Sequence, residues 1–482
     1  MKKVLYIAAA FAVIFSCAPK YSEGEVSYKF WDAYDKIELP DFSTLGQPDE
    51  CGTAPTFSLG SHSDEAIDHF AAEFTSTFTV PAEKEFSFLL TSDDESRLII
   101  DGKTLIELNG SGNSSVAKIV LSKGRHQIKV LYFEDYMGQY LKLQLYTEGE
   151  LPREYGTLAP SDEMPDFVVP QVTEAYERYK AWKADDETIT FPIFTDVHAH
   201  NDYRFRHIGY VASTSDIWNY DFMLCLGDIG INLGPAHISR DIATTIMNSV
   251  RDEMLKFPGV FLYVPGNHDW DAGEGTFNSE ERFQDLFQKP GLEKADGNLH
   301  LTPGKVYHYY DIPEKNFRIV LLNSCGTGTQ QDKCYVFDDE QVEWFKNLVN
   351  GTPKEMNILV ACHYMPHPNG RWHNIPAPYN LQSNERMMDV LAEMKKEHNI
   401  IGLFCGDSHF NMHEVDRNVN YFVTQCMGYC TQAQLMPGTR RADVDLEKSL
   451  CCDVIAVKPA KNEVHTFRIG AGGAEYDYVF NY

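Results

Sequence analysis

The sequence predicts a multidomain protein in which an all-β domain precedes a larger α/β domain. Between residues 28 and 147, short runs of β-branched and aromatic residues alternate with Gly- or Asp-containing turns, which is typical of a sandwich or barrel. From Thr190 onwards, continuous apolar runs alternate with helical patterns, as expected for a sheet that is covered on both faces. A proline-rich stretch from Leu151 to Pro170 separates the two patterns. The predicted parts are residues 1–17 (signal peptide), 25–150 (β domain), 151–188 (linker and short helix) and 189–475 (α/β domain).

The N-terminus has the pattern of a targeting segment. Lys2 and Lys3 precede an apolar stretch, residues 4–15, that is shorter than the roughly 20 residues needed to span a bilayer. The stretch ends at Ser16-Cys17 and resembles a bacterial lipoprotein signal, in which Cys17 becomes the lipidated first residue. An ordinary signal peptide with an incidental cysteine is the alternative. The resemblance implies a lipid-anchored protein of the bacterial cell envelope (outer membrane, periplasmic or surface-exposed) that contacts the membrane only through its anchor.

The overall charge argues against one class of partner. The chain contains 70 acidic and 42 basic residues, which gives a formal net charge of -28. Such a surface repels nucleic-acid backbones, so no nucleic-acid partner is expected. A small phosphorylated substrate remains compatible with this charge, because bound metal cations invert the local field.

The cysteines are compatible with an oxidising compartment but do not define a disulfide framework. Cys225, Cys362 and Cys405 lie in apolar runs, which predicts buried thiols. Cys325 and Cys334 flank a polar loop and could pair.

Five apolar runs of the α/β region each lead into residues that can bind metal. In open α/β sheets, functional groups gather at the carboxyl ends of the strands, so these side chains are expected to converge. In chain order they are Asp196, His198 and His200; Asp228; Asn267, His268 and Asp269; His363; and Asp407 and His409.

The donor types predict the kind of centre. Imidazole and carboxylate together suit Zn, Fe or Mn, and no convergent set of thiolates indicates a structural cysteine site. The ligands are too many for one catalytic ion, whereas two ions with a shared carboxylate would use them. The sequence therefore predicts two divalent or trivalent transition-metal ions.

The same residues carry a family resemblance. Asp-x-His, Gly-Asp, Gly-Asn-His-Asp, a lone His and a terminal His, in this order over residues 189–467, resemble the calcineurin-like metallophosphoesterases. The resemblance implies a β-sandwich flanked by helices that hydrolyses phosphomonoesters or phosphodiesters through attack of a metal-bound hydroxide on phosphorus. It assigns Asp196, His198 and His409 to the first metal, Asp228 to a bridging position, Asn267 and His363 to the second metal, His268 to the substrate phosphoryl group, and Asp269 or Asp271 to the orientation of His268.

One position departs from the family pattern. The family usually ends in Gly-His-x-His, whereas this chain has Gly406-Asp407-Ser408-His409. A carboxylate at 407 can coordinate the second metal, and its harder oxygen favours Mn or Fe over Zn. The alternative is a weak or lost second position, which would leave a non-catalytic glycan-binding surface lipoprotein.

Further residues are candidates for the lining of the pocket. Tyr364 and Arg371 follow His363 in a proline-rich loop, and Arg371 could bind a phosphate oxygen through two hydrogen bonds. A purely structural loop explains them equally well. His200 is expected to line the pocket. His198-Ala-His200 also resembles the first motif of amidohydrolases, a competing interpretation that leaves Gly-Asn-His-Asp unexplained.

The β domain has its own resemblance. Residues 90–103, which contain Asp93-Asp94, and the later Gly-Arg-His-Gln-Ile-Lys-Val at 124–130 resemble a PA14 domain. Some PA14 domains bind sugars through a calcium ion held by adjacent aspartates. The resemblance therefore implies calcium at Asp93 and Asp94 and a glycan partner, although adjacent acids in loops are more often only solvated.

Overall fold

The protein divides into two compact units, residues 1–158 and 159–482, which are described separately. In the computed structural model, the described residues are 21–34, 38–63, 68–110, 113–136, 139–148, 150, 152–157, 165–182, 184–199, 205–229, 240–269, 279–325, 336–370, 378–427 and 450–482.

The first unit is built from two antiparallel sheets. One sheet has the order β3-β2-β4-β9-β6-β7, with β1 also paired to β4, and the other has the order β11-β10-β5-β8. Phe74 and Val130 from the first sheet and Phe88 and Leu143 from the second lie in one buried core, which confirms the predicted all-β sandwich. The strands are β1 Ser22–Glu23, β2 Val26–Trp31, β3 Glu50–Ala54, β4 Phe70–Val80, β5 Lys84–Ser92, β6 Ser96–Ile100, β7 Lys103–Leu108, β8 Asn113–Leu121, β9 Gly124–Glu134, β10 Leu141–Tyr146 and β11 Arg153–Glu154.

The register of β9 positions one end of this sandwich. Strand β9 pairs with both β4 and β6, so that Glu134 lies opposite Phe70 and Tyr132 lies opposite Ser96. The loop from β5 to β6 carries Asp93 and Asp94, and the Asp94 carboxylate accepts a hydrogen bond of 2.7 Å from the backbone N–H of Asp135. The adjacent aspartates are therefore held against the end of β9.

The second unit contains two mixed sheets that pack face to face. Their orders are β14-β13-β12-β22-β23-β24 and β15-β16-β17-β18-β19-β21-β20. Phe191, Phe222 and Ile455 from one sheet share a core with Leu359 and Phe404 from the other. The strands are β12 Ile189–Phe194, β13 Phe222–Cys225, β14 Val260–Tyr263, β15 Leu299–Leu301, β16 His308–Ile312, β17 Phe317–Leu321, β18 Asn357–Ala361, β19 Asn399–Cys405, β20 Met412–Asp416, β21 Val419–Val423, β22 Cys451–Lys458, β23 Glu463–Gly470 and β24 Val479–Asn481.

Helices cover the outer faces of this sandwich, as the family resemblance implies. Phe345 and Leu391, from two different helices, pack with Val360 on the side of its sheet that faces away from the central core. No helix within the described residues is both long and apolar enough to cross a membrane. The helices are α1 Val168–Trp182, α2 Arg206–Ser213, α3 Ser215–Trp218, α4 Arg240–Leu255, α5 Glu280–Phe283, α6 Asp339–Asn350 and α7 Pro378–Lys395.

Candidate metal centre

Five strands deliver polar side chains to one edge of the second unit. Strands β12, β13 and β14 are mutually parallel, as are β18 and β19, so within each sheet their carboxyl ends lie at the same edge. The predicted ligands follow these ends directly and meet between the two sheets. They are Asp196 and His198 after β12, Asp228 after β13, Asn267 after β14, His363 after β18, and Asp407 and His409 after β19.

Asp196, His198 and His409 form one group of ligand atoms, here called the first metal position. His409 Nε2 lies 3.0 Å from Asp196 Oδ1 and 3.2 Å from His198 Nε2. His198 Nε2 lies 3.5 Å from the same Asp196 oxygen. Two imidazole nitrogens and a carboxylate oxygen therefore face one another at the spacing expected around a single ion.

Asn267, His363 and Asp407 form the second metal position. His363 Nε2 lies 3.1 Å from Asn267 Oδ1 and 3.5 Å from Asp407 Oδ1. Asp228 Oδ2 lies 3.3 Å from His363 Nε2 and 3.9 Å from His198 Nε2, so this carboxylate stands between the two positions.

The backbone around the ligands is unusually constrained. Asp196, His198, Asp228, Asp407 and His409 all have positive φ, between 44° and 64°, in the left-handed region that is unfavourable for residues with a side chain. A Cβ atom at glycine 266 would lie only 2.0 Å from an oxygen of the carboxylate at 228, so a glycine is required beside this ligand. The tight turns therefore place several ligand side chains close together.

Burial alone would raise the pKa values of the carboxylates, but the imidazoles oppose this effect at two of them. His409 holds the pKa of Asp196 well below its usual range, and His363 lowers that of Asp228 to about 2. At Asp407, burial dominates and raises the pKa despite the nearby His363.

Asp196 and Asp228 are buried, and the side chain of Asp407 is 9% exposed. The ion-pair partners that these three carboxylates have within the described residues are histidines. Buried carboxylates without a lysine or arginine partner require a cation, so the residues present fit a pair of metal ions.

Comparisons with known proteins match a family to each of the two domains. Residues 189–411 match the sequence profile of the calcineurin-like phosphoesterases, and residues 33–156 match that of the PA14 domain. The chain combines a PA14 domain with a calcineurin-like phosphoesterase domain. No curated protein matches the chain.

Solved structures resemble each domain only distantly. A dimetal phosphatase from Danio rerio is 15% identical, with a TM-score of 0.43, over 61% of this chain and 99% of its own. GAP50, the anchor in the inner membrane complex of Plasmodium, is 12% identical, with a TM-score of 0.37, over 61% and 88%. A PA14 sugar-binding domain from an RTX adhesin is 14% identical, with a TM-score of 0.23, over 27% and 94%. At these identities and scores, the likenesses carry no argument about activity.

The two predicted catalytic residues of the phosphoesterase domain have different surroundings. His268 is partly exposed, and its Nε2 lies 3.9 Å from Asp228 Oδ2. Within the described residues its buried Nδ1 has no hydrogen-bond partner, so the predicted orientation of this ring by Asp269 or Asp271 stays a prediction. Asp269 Oδ2 accepts hydrogen bonds of 2.8 Å from the backbone N–H groups of Asp228 and Gly266. Asp269 therefore fixes the loops that carry two ligands, because its negative charge strengthens both bonds.

The remaining predicted residues of this domain divide into two groups. His200, Asp271, Cys334 and Arg371 lie outside the described residues, as does Cys17 at the N-terminus. Tyr364 is fully buried, and its backbone N–H donates to Ser324 Oγ, which gives no support to a substrate contact. The expected burial of the thiols at 225, 362 and 405 is confirmed.

The PA14 domain contains a second group of acidic side chains. Asp93, Asp94 and Glu134 each offer a carboxylate oxygen, and these three atoms lie within 4.8 Å of one another. Glu134 is fully buried, and its Oε1 has no hydrogen-bond partner in the described part of the chain. Burial and the neighbouring aspartates raise the pKa of Glu134 to about 7, although Tyr132 donates a hydrogen bond to Oε2. Sequence reasoning did not identify Glu134, whose only signal is an acidic residue at the end of an apolar run.

Proposed function

We propose that this protein is a two-metal hydrolase of phosphate esters, either monoesters or diesters. The observation that carries the proposal is the position of Asp228 Oδ2 between two groups of ligand atoms, 3.3 Å from His363 Nε2 and 3.9 Å from His198 Nε2. A carboxylate in this position can be shared by two cations, whereas a site for a single ion would not need a second set of ligand atoms on the other side of this carboxylate.

The two metal positions provide all the donors that such a pair requires. Two bound ions of Mn, Fe or Zn would supply the usual chemistry of a dinuclear centre, which is to lower the pKa of a bound water and to neutralise charge on a phosphoryl group. The chain would hold them with Asp196, His198 and His409 at the first position, with Asn267, His363 and Asp407 at the second, and with Asp228 shared.

The phosphoesterase domain also orients its own ligands. His363 Nδ1 lies 2.5 Å from the carbonyl oxygen of Leu226, so this nitrogen donates a hydrogen bond and leaves the Nε2 lone pair for a cation. Thr195 Oγ1 donates a hydrogen bond of 2.6 Å to Asp196 Oδ2, which leaves Oδ1 facing the histidines. These bonds fix the donor atoms before an ion binds.

His268 is the side chain best placed to act on the substrate. Its ring stands beside Asp228 and is partly open to solvent, whereas His363 is fully buried. Burial lowers the pKa of His268, which favours the neutral ring near pH 7. A neutral imidazole with one protonated nitrogen can donate a hydrogen bond to a phosphoryl oxygen or a leaving group.

The experiment that tests this function is hydrolysis of p-nitrophenyl phosphate and bis-p-nitrophenyl phosphate. Protein without residues 1–17 is reconstituted with Mn, Fe or Zn and compared with Asp228→Asn and with Asp339→Asn, whose carboxylate is exposed on helix α6. We expect metal-dependent turnover in the wild type and in the Asp339 control, and a loss of about 10³-fold in Asp228→Asn. Two bound ions without turnover of either ester, or turnover unaffected by Asp228→Asn, would contradict the proposal.

We also propose that the PA14 domain binds calcium and, through it, a glycan. The supporting observation is that Glu134 joins Asp93 and Asp94 in one group of carboxylate oxygens, and that one oxygen of this buried side chain has no hydrogen-bond partner within the described residues. Calcium prefers carboxylate and other oxygen ligands, and three carboxylates provide them. A glycan array probed with and without calcium tests this idea, and binding that persists in excess chelator would contradict it.

Anchoring to a bacterial cell envelope through Cys17 is a further proposal that rests on the sequence alone. The supporting pattern is the short apolar stretch after Lys2 and Lys3 that ends at Ser16-Cys17. Metabolic labelling with a fatty-acid analogue should mark the wild type and not Cys17→Ala. Equal labelling of both proteins, or of neither, would contradict the proposal.

A further inference from the structure

We propose that Asp407 makes the two metal positions chemically different, so that the centre holds a borderline ion such as Zn²⁺ at the first position and a hard ion, Mn²⁺ or Mg²⁺, at the second. This inference rests on the proposed two-metal function and extends it to the class of each ion.

The geometry places Asp407 among the ligands rather than beside them. Asp228, Asn267 and Asp407 each direct one oxygen to within 3.1 to 3.5 Å of His363 Nε2. Ligand atoms about 2.1 Å from one ion lie roughly 3.0–3.4 Å apart at the edges of an octahedron or tetrahedron. The separation between Asp407 Oδ1 and His363 Nε2 is close to this range without any movement.

Asp407 is held there by its backbone. Its N–H donates a hydrogen bond of 2.9 Å to Asp196 Oδ2, a ligand of the first position. The preceding residue, Gly406, donates a hydrogen bond of 2.8 Å to the carbonyl oxygen of His363. Asp407 also has a positive φ of 64°. The side chain is thus fixed from both positions, which argues against an incidental polar residue.

The burial of Asp407 requires a positive partner. Its side chain is 9% exposed, and within the described part of the chain its ion-pair partner is His363, which also pairs with Asp228. A buried carboxylate that must share one imidazole with a second carboxylate is poorly compensated. A cation at the second position would neutralise both.

The donor sets of the two positions then differ in type. With Asp228 shared, the first position offers two imidazole nitrogens and two carboxylate groups, from residues 196, 198, 228 and 409. The second offers one imidazole nitrogen, one amide oxygen and two carboxylates, from residues 228, 267, 363 and 407. Imidazole suits Zn, Fe and Cu, whereas carboxylate and carbonyl oxygens suit Mg and Mn.

Most protein sites bind Zn²⁺ more tightly than Mn²⁺, so a change of ligand type acts by reducing the difference in affinity between these two ions. We therefore expect the preference for Zn²⁺ over Mn²⁺ to be large at the first position and small at the second. When the supply of Mn²⁺ exceeds that of Zn²⁺, the result is a mixed centre.

The test measures metal content and affinity without substrate. Full-length protein is stripped with a chelator, given one equivalent of Zn²⁺ and excess Mn²⁺, and analysed by native mass spectrometry and by the electron paramagnetic resonance of bound Mn²⁺. We expect one Zn and one Mn per wild-type chain. In Asp407→His, which restores a nitrogen donor, we expect the Mn²⁺ affinity to fall at least about tenfold while a second Zn²⁺ binds. Asp339→His, on exposed helix α6, is the matched control.

Each other outcome overturns the inference. The inference is overturned if wild-type protein retains only one ion, or if it binds the second Zn²⁺ with the same preference over Mn²⁺ as the first. Both results count even if Asp407→His fails to fold. An unchanged Mn²⁺ affinity in folded Asp407→His also overturns the inference. A mixed centre that hydrolyses neither ester contradicts the proposed function alone, whereas hydrolysis by a centre that retains only zinc contradicts this inference alone.

Discussion

Each domain brings three carboxylates close together, yet the atoms around them differ. In the phosphoesterase domain, the carboxylates of Asp196, Asp228 and Asp407 face imidazole nitrogens delivered by strands far apart in the sequence. In the PA14 domain, Asp93, Asp94 and Glu134 face one another. This difference indicates that the other donor atoms around the carboxylates, rather than the carboxylates themselves, determine which type of ion each group can bind. Mixed nitrogen and oxygen donors suit transition metals, and oxygen donors alone suit calcium.

The largest expected effect separates catalysis from metal binding within the phosphoesterase domain. His268→Ala should reduce kcat by about 10²–10⁴-fold, because a group placed to donate a proton or hydrogen bond to the substrate is removed. Both metal ions should remain, since none of the seven proposed ligands is changed. Steady-state kinetics and elemental analysis measure the two quantities, and loss of a metal would reassign His268 as a ligand.

A smaller effect is expected where a carboxylate binds backbone instead of metal. Asp269→Asn replaces a charged acceptor of two backbone N–H groups, from Asp228 and Gly266, with a neutral amide. The free energy of unfolding should fall by about 1–2 kcal/mol in chemical denaturation. Asp339→Asn, which loses an exposed ion pair with Arg386, should lower it by less, about 0–1 kcal/mol. A stability equal to wild type, combined with a lost metal, would instead place Asp269 among the ligands.

A substitution in the PA14 domain should remove the response to calcium without affecting hydrolysis by the phosphoesterase domain. Glu134→Gln should abolish the rise in melting temperature that calcium produces, because a ligand bound only to the folded state stabilises it. Ester hydrolysis should be unchanged. Glu85→Gln, an exposed residue of β5, is the matched control and should retain the calcium response. A full calcium response in Glu134→Gln would exclude Glu134 from the site.

The smallest expected effect is on how the stability of each domain depends on pH. The measurement is made in the presence of a chelator, so that bound metal ions do not contribute to it. Burial lowers the pKa of His308 in the phosphoesterase domain to about 4, below its unfolded value of about 6.5. Its contribution to stability is therefore present above pH 6.5 and lost as the pH falls towards 4. At His126 of the PA14 domain, burial lowers the pKa, but Asp101 outweighs it and raises the pKa, so that contribution is retained in acid.

Differential scanning calorimetry between pH 7 and 4 should accordingly show an acid-sensitive phosphoesterase transition. His308→Asn keeps a donor near Nδ1, which bonds the carbonyl of Val306 in the wild type, and should reduce this sensitivity. An unchanged pH profile in the variant would show that other groups cause the sensitivity.

Much of the phosphoesterase site could be predicted because its ligands directly follow buried strands. The apolar run that ends at Cys405 predicts a strand end, and the polar residues after it must then lie at the edge of the sheet. The role of Asp269 could not be predicted in the same way. It depends on how the turn at Gly266 meets the turn at Asp228, which follows the neighbouring strand, and residue types do not encode that contact.

Glu134 shows a second limit. It ends the alternating strand β9 immediately before another acid, a position that usually predicts a solvated turn. Its burial results from the pairing of β9 with both β4 and β6, which is a property of the whole sheet. The adjacent aspartates were visible as a motif, but their third partner became visible only once the fold was known.

The left-handed backbone of Asp196, His198, Asp228, Asp407 and His409 has a consequence for how this domain can evolve. A residue with a side chain in that region destabilises the fold by about 1 kcal/mol relative to glycine. Each of these residues therefore lowers the free energy of unfolding while it supplies a metal ligand. Under selection for stability alone, these positions would drift to glycine or asparagine. In related sequences, aspartate or histidine at all five positions would therefore mark lineages still under selection for the metal centre, and a glycine there would mark one released from it.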